Sequence, residues 1–127
     1  TYVGADAEGR VADPDLRARI AKREMDWCAS PPTALRLQSE SKAAGGVSDV
    51  SSILQTVGTK LGQERAELLI EIQGHEGLGW EGEGFSEAQL KGTRAWLFGK
   101  ATTIYGGSTE IQNNIIAKRI LGMLDHQ

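Results

Sequence analysis

The sequence predicts an all-α fold, an antiparallel four-helix bundle over residues 13–124. Three observations predict it. Apolar residues recur at helical spacing, and no stretch alternates as a half-buried strand does. Helix-start signatures stand ahead of the apolar stripes: Asp13-Pro14, Ser48-Asp49, Ser86 with Gln89, and Thr109 with Gln112. The links between stripes are short to medium, which favours antiparallel neighbours.

Residues 1–12, with Gly4, Gly9 and mixed polarity, are expected to form a flexible N-terminal segment. Asp13 then caps the first helix and Pro14 occupies its first position. Leu16, Ile20, Met25 and Trp27 mark its apolar stripe. Ser30-Pro31-Pro32 either kinks one long helix or ends one and caps the next. Leu35 and Leu37 carry the pattern on to about Lys42, and "AAGGVSD" is a loop. The second main helix follows Ser48-Asp49, with Val50, Ile53, Leu54, Val57, Leu61, Ala66, Leu68, Leu69 and Ile72 at amphipathic spacing. Gly58 and Gly62 lie on it four residues apart, where a close neighbouring helix would explain them. Gly74 ends it.

"GHEGLGWEGEGF", residues 74–85, holds five glycines. A link of this length is expected either to be disordered or to be built around a ligand. Ser86 and Gln89 form a capping box for the third helix, which runs through Leu90, Trp96, Leu97 and Ala101 to Ile104. The elbow Tyr105-Gly106-Gly107 follows. Thr109 with Gln112 is a second capping-box match, with Ser108 as the alternative cap. Ile111, Ile115, Ile116, Ile120 and Leu121 make the last apolar stripe, which ends near Gly122.

Composition bounds the function classes. A chain of 127 residues suits one domain with a modest core, and its opening on Thr1 rather than Met is expected of a fragment or processed piece. With 39% hydrophobic and 24% charged residues, the balance is that of a soluble globular protein. A net charge of −3 offers no basic face for nucleic acid. The lone Cys28 cannot close an internal disulfide, so a reducing, cytoplasmic setting is expected, with Cys28 as a small half-buried side chain. No apolar run reaches the length of a membrane span, and no signal peptide opens the chain.

Two glycine-rich helix entries read either as structural turns or as anion-friendly sites: the loop after Gly74 and the elbow before Ser108. His75 beside Glu76 lacks a second histidine or a cysteine pair at ligand spacing, so no metal site is expected. Glu71, Glu81, Glu83 and Glu87 read as solvated, and Trp27, Trp80 and Trp96 as packing residues. Composition and spacing stop there, without naming a substrate.

Residues 100–123, "KATTIYGGSTEIQNNIIAKRILGM", resemble the C-terminal signature of acyl-CoA dehydrogenases, an aromatic, a glycine elbow, capping residues and an Ile-Gln helix. "SSILQTVGTKLGQERAELLIEIQGHEGL", residues 51–78, is similar to that family's penultimate long helix and its glycine turn. Leu16 to Glu40 is compatible with an earlier helix of the same domain. The resemblance covers nearly all of this chain but only the last domain of the family. It implies a helical bundle next to a β domain, with FAD as cofactor between them and the cofactor's ADP part reaching into a neighbouring subunit. It implies α,β-dehydrogenation of an acyl-CoA, an electron-transfer flavoprotein as acceptor, and a homo- or hetero-oligomer built through helical domains.

The resemblance also assigns positions. Tyr105 matches the aromatic before the usual catalytic glutamate, and Gly106 stands where that glutamate would be. No base is therefore implied at Gly106, and Glu110 is the weaker alternative. Either the base lies upstream of this chain or the parent is a base-less subunit. Gly107 and Ser108 match positions facing the flavin, and Glu110 matches a glutamine near the cofactor's ADP end. Gly74 and Gly77 keep two glycines of the family's diphosphate turn, while Glu71 replaces a glutamine there and, with Glu76, is expected to repel a diphosphate. The rival expectation is a non-catalytic helical binding or oligomerisation module.

Overall fold

The computed structural model describes residues 2–43 and 51–124. Ser48 and Asp49, the expected cap of the second helix, lie outside the described residues, as do Val50 and His126. Four α-helices follow in order: α1 (Pro14–Ala43), α2 (Ser51–Gln73), α3 (Glu87–Gly99) and α4 (Thr109–Ile115). Tight 3-10 turns extend α2 (Gly74–Leu78) and α3 (Lys100–Thr103), and a π turn (Ile116–Ile120) extends α4. Among the described residues there is no strand, only a single antiparallel bridge between Ala5 and Val11.

The starts of α1 and α3 follow their local chemistry. Asp13 Oδ1 accepts from the backbone N–H of Asp15 at 2.9 Å and of Leu16 at 3.2 Å, satisfying two donors that a helix start leaves open. Ser86 and Gln89 make the full reciprocal capping box at the head of α3. The two prolines do not divide α1, which runs unbroken through Pro31 and Pro32. Ser30 is therefore no cap; its hydroxyl donates back to the Asp26 carbonyl at 3.2 Å. Residues 4–12, expected as a mobile end, form a hydrogen-bonded turn in which Asp6 Oδ1 accepts from the N–H of Glu8 and of Arg10.

The spine is α2, against which α1, α3 and α4 all pack. Arg19 of α1 forms a two-pronged ion pair with Glu71 at 2.7 and 2.6 Å, and Arg23 pairs with Glu64. On the other side, Gly92 of α3 leaves room for the Gln73 amide, and Thr93 donates its hydroxyl to the Gly77 carbonyl at 2.8 Å. The apolar side chains buried among the described residues are Leu16, Leu37 and Leu68.

Several expected packing residues lie elsewhere. Met25 is 72% exposed, because nine residues of helix carry it to the face opposite Leu16. Trp27 and Trp80 are also exposed, each under an arginine: Arg65 stands 5.2 Å from the Trp27 ring and Arg94 5.4 Å from that of Trp80. Cys28 is exposed rather than half-buried. Gly58 and Gly62 meet no close neighbour, since a Cβ on either would have nothing within 4 Å. The glycine-rich link is held by contacts within the chain. Thr93 holds Gly77, Gln89 donates to Glu76, Arg94 donates to the Trp80 carbonyl, and Phe85 packs on Gly79.

Replacing Ser86 by Ala removes one half of the capping box and leaves a Gln89 N–H unpaired. Unfolding in urea is expected to show a loss of about 1 kcal/mol at unchanged slope, with Ser86→Gly costing less.

Candidate functional site

The residues singled out by sequence gather at two places. Tyr105, Gly106, Gly107, Ser108 and Glu110 form the elbow between α3 and α4, and Gly74 and Gly77 form the turn after α2. Gln55 near the start of α2 donates to the Tyr105 carbonyl at 2.8 Å, while Gly74 directly follows the end of α2. Roughly 28 Å of helix separates Gln55 from Gly74 at the rise of an α-helix, so the two turns sit at opposite ends of the spine.

The elbow arises because α3 loosens at its end. Thr102 and Thr103 donate their hydroxyls to the carbonyls of Gly99 and Lys100, at 2.6 and 3.1 Å. Such bonds compete with regular helix, and the chain tightens into a 3-10 turn. Gly106 and Gly107 then take φ of 72° and 107°, a region that costs most side chains strain. A Cβ on Gly107 would also lie 2.7 Å from Gln112 Nε2. A Cβ on Gly106 would meet only Gln55, at 3.6 Å. Phe98 and Tyr105 pack edge to face at 6.4 Å, and with Ile104 they leave an exposed apolar surface beside the bare glycine backbone.

Ser108 occupies the cap position of α4, but its side chain makes no capping bond to the backbone. The Ser108 hydroxyl beside the Glu110 carboxylate, together with the backbone N–H of Glu110, holds that carboxyl below the usual glutamate range. The expected Thr109–Gln112 capping box does not form, because Gln112 turns its amide back to the Gly106 carbonyl at 2.7 Å. Glu110 is thus exposed and of lowered basicity.

At the other end, the ring of Tyr2 lies on Gly74, whose Cβ would come within 2.5 Å of it, and meets His75 edge to face at 5.9 Å. Gly77 is buried, and a Cβ there would fall 2.8 Å from the Ile70 carbonyl. Both acids expected to repel an anion are engaged. Arg19, hydrogen-bonded to Glu71, holds its carboxyl below the usual range, and Glu76 accepts from Gln89. No cluster of three potential metal ligands occurs among the described residues. No described helix is long and apolar enough to cross a membrane.

Gln55 and Gln112 belong to this site, and sequence reasoning missed their part in it. The signal was present: a glutamine on the same α2 face as Thr59 and Gln63, and a glutamine five residues after the elbow. A hollow of about 570 Å³ lies away from both turns, between the second half of α1 and the start of α2, where Leu37, Gln38 and Leu54 line it.

Residues 4–121 match the family described as acyl-CoA dehydrogenase, C-terminal domain. Two relatives extend the match. The chain is 36% identical over 119 residues to the acyl-CoA dehydrogenase IpdE1 of Mycolicibacterium smegmatis, covering 94% of this chain and 28% of that protein. It is 34% identical over 112 residues to the protein of the same name from Mycobacterium tuberculosis, covering 87% and 27%. The chain therefore spans little more than a quarter of the length of these curated relatives. No solved structure gives a significant match.

The elbow geometry has two measurable consequences. A carboxyl whose folded pKa is lowered adds stability above its unfolded pKa, and that stability is lost as pH falls through the folded value. A carbon-detected NMR titration is expected to place the Glu110 midpoint below the ordinary glutamate value, with Ser108→Ala moving it upward. Gly107→Ala is expected to lose about 1–3 kcal/mol of stability, seen as a lower melting temperature.

Proposed function

This chain belongs to the acyl-CoA dehydrogenase family, as its C-terminal domain, and from that premise we propose that it forms one wall of the active site of an FAD-dependent acyl-CoA dehydrogenase. The observation that carries this reading is the elbow. Bare backbone at Gly106 and Gly107 stands beside the exposed rings of Phe98 and Tyr105, a surface that suits a flat, partly apolar ring system. When bound, FAD supplies the hydride acceptor for α,β-dehydrogenation of an acyl-CoA thioester. Gly106, Gly107 and Ser108 line the flavin side, and Tyr105 packs against substrate or ring. Gly74 and its turn are assigned to the cofactor's diphosphate end. Because that turn lies at the far end of α2, it serves the cofactor of a neighbouring copy. The Arg19–Glu71 pair cancels the charge of one acid near it.

Proton removal from the substrate's α-carbon needs a base, and Gly106 has no side chain to take a proton. Glu110 is a poor substitute, since the Ser108 hydroxyl beside it favours the carboxylate and lowers its basicity. The base is therefore assigned to a glutamate of the whole enzyme outside this chain. An acyl-CoA is the substrate class and an electron-transfer flavoprotein the acceptor.

Association through the helical domains is a second part of the proposal. On the outer face of α2, Leu69 is nearly half exposed, and Gly58 and Gly62 lie uncovered on the same side. These residues fall on one face of the helix, and a second bundle could approach closely over the two glycines.

Three experiments test these readings. The chain alone, mixed with FAD and desalted, is expected to keep no stoichiometric flavin absorbance, whereas the full-length protein keeps it and is bleached by a saturated acyl-CoA. A full-length protein that holds no flavin would falsify the enzyme reading. Replacing the upstream glutamate by Gln is expected to slow flavin reduction by about 10²–10⁴-fold; an unchanged rate would return the role of base to Glu110 or to a partner. In sedimentation, Leu69→Lys is expected to shift the full-length protein toward smaller species, and an unchanged profile would count against the α2 face.

A further inference from the structure

Helix α1 carries two apolar stripes, and the described residues cover only one of them. On one side Leu16 and Leu37 are buried, Arg23 pairs with Glu64 of α2, and Arg65 of α2 stands over the Trp27 ring. Nearly opposite runs a second stripe, Ala18, Ala21, Met25, Cys28, Pro32 and Leu35. It steps by three and four residues in strict alternation, the heptad spacing with which one helix packs along another. No side chain in it carries a charge or an oxygen. All six are exposed, Met25 at 72% and Leu35 at 66%. The stripe runs for about 25 Å at the rise of an α-helix.

This stripe is complementary to itself in reverse. Two copies of α1 laid antiparallel, about a two-fold axis midway between Met25 and Cys28, set Ala18 opposite Leu35 of the second copy. Ala21 falls opposite its Pro32, and Met25 opposite its Cys28. Every layer then puts a smaller side chain against a larger one, which fills the seam evenly. The flanks agree. Asp15 falls beside Arg36 of the second copy, and by symmetry this pair occurs at both ends. Arg17 meets Gln38, Lys22 meets Ala29 and Glu24 meets Pro31, so no like charges are opposed. A parallel pair loses both features: it sets alanine on alanine at two layers and brings Arg17 against Lys22.

We infer that this face of α1 is an interface between two copies of the chain, packed antiparallel through Met25 and Cys28 and closed at each end by an Asp15–Arg36 pair. The face is distinct from the Leu69 side of α2. It depends on the pattern of α1 alone and stands apart from the proposed enzymatic role.

Sedimentation of the chain is expected to show a concentration-dependent dimer. Asp15→Arg and Arg36→Asp are each expected to raise its dissociation constant about tenfold. The two changes combined are expected to restore it, which an effect on helix stability alone would not do. Cross-linking tests the register. Met25→Cys sets a thiol opposite Cys28 of the second copy, so mild oxidation is expected to give a disulfide-linked dimer on non-reducing electrophoresis. The unaltered chain is expected to give far less, whereas a parallel pair would bring Cys28 onto Cys28 and link without any substitution. The same variant in the full-length protein is expected to link two copies. A chain that stays monomeric, charge reversals that do not rescue each other, or equal linking with and without Met25→Cys overturns the inference. So does a full-length protein in which the introduced thiol is shielded by its own upstream residues and links to no second copy. If Met25→Cys fails to fold, the charge-reversal pair still decides. Persistence of the dimer in Leu69→Lys is expected, and its loss there would move the interface to α2 and overturn this one.

Discussion

The arrangement depends on one polar seam along α2. Gln55 and Gln63 project amides toward the end of α3, where a helix leaves carbonyls without partners. Gln63 donates to the Gly99 carbonyl at 3.1 Å, and Gln55 reaches the carbonyls of Thr102 and Tyr105. These long-range bonds fix where α3 stops and at what angle the chain leaves it. Everything after Gly99, including the 3-10 turn, the elbow and α4, takes its place from that seam. A glutamine bond in a half-buried groove is worth only about 1 kcal/mol net, yet an unpaired carbonyl there would cost as much or more.

The apolar core is thin by comparison. Leu16, Leu37 and Leu68 are buried, while Phe98, Ile104, Leu78 and Met25 are each more than 60% exposed. Arg19–Glu71 and Arg23–Glu64 bridge α1 and α2 at or near the surface. Exposed ion pairs contribute little singly. Cations stand over the rings of Trp27, Trp80 and Trp96, so part of the apolar surface is covered by charged side chains. A domain with this balance presents apolar surface outward, as expected of a part that meets further protein surface. That agrees with a chain spanning about a quarter of its relatives.

The two glycine turns do different work. Gly106 and Gly107 are required by backbone sign, with positive φ at an exposed elbow. Gly77 is required by space, because the Ile70 carbonyl leaves no room for a Cβ. Gly74 answers to both, with a φ of 59° and the Tyr2 ring on its open side. Their separation along α2 keeps them from forming one site in a single copy. Gly106 brings backbone alone to the elbow and offers no side chain that could take a proton.

Much of the fold was legible in the sequence. Helical periodicity, the Asp13 cap and the Ser86–Gln89 box are interactions between residues near in sequence, so spacing alone specified them. The elbow motif carried the family in the same way, because its glycines and caps are contiguous. Proximity in space was not legible. Pro31-Pro32 allowed either a kink within one helix or a boundary between two, and the helix carries through. Gly58 and Gly62 looked like a close approach and meet open space. Glu71 and Glu76 were expected to repel an anion, and Arg19 and Gln89 take them up. The Gln55–Tyr105 bond joins residues fifty apart, and spacing along α2 does not say which distant carbonyl that amide meets. By itself the sequence determined which segments are helical, where two of the helices start and which turn needs glycine, since these follow from local backbone energetics. Only the tertiary structure decided which polar side chains meet and which way the elbow peptides face, because those depend on how α2 lies against α3, a relation set by packing between distant residues.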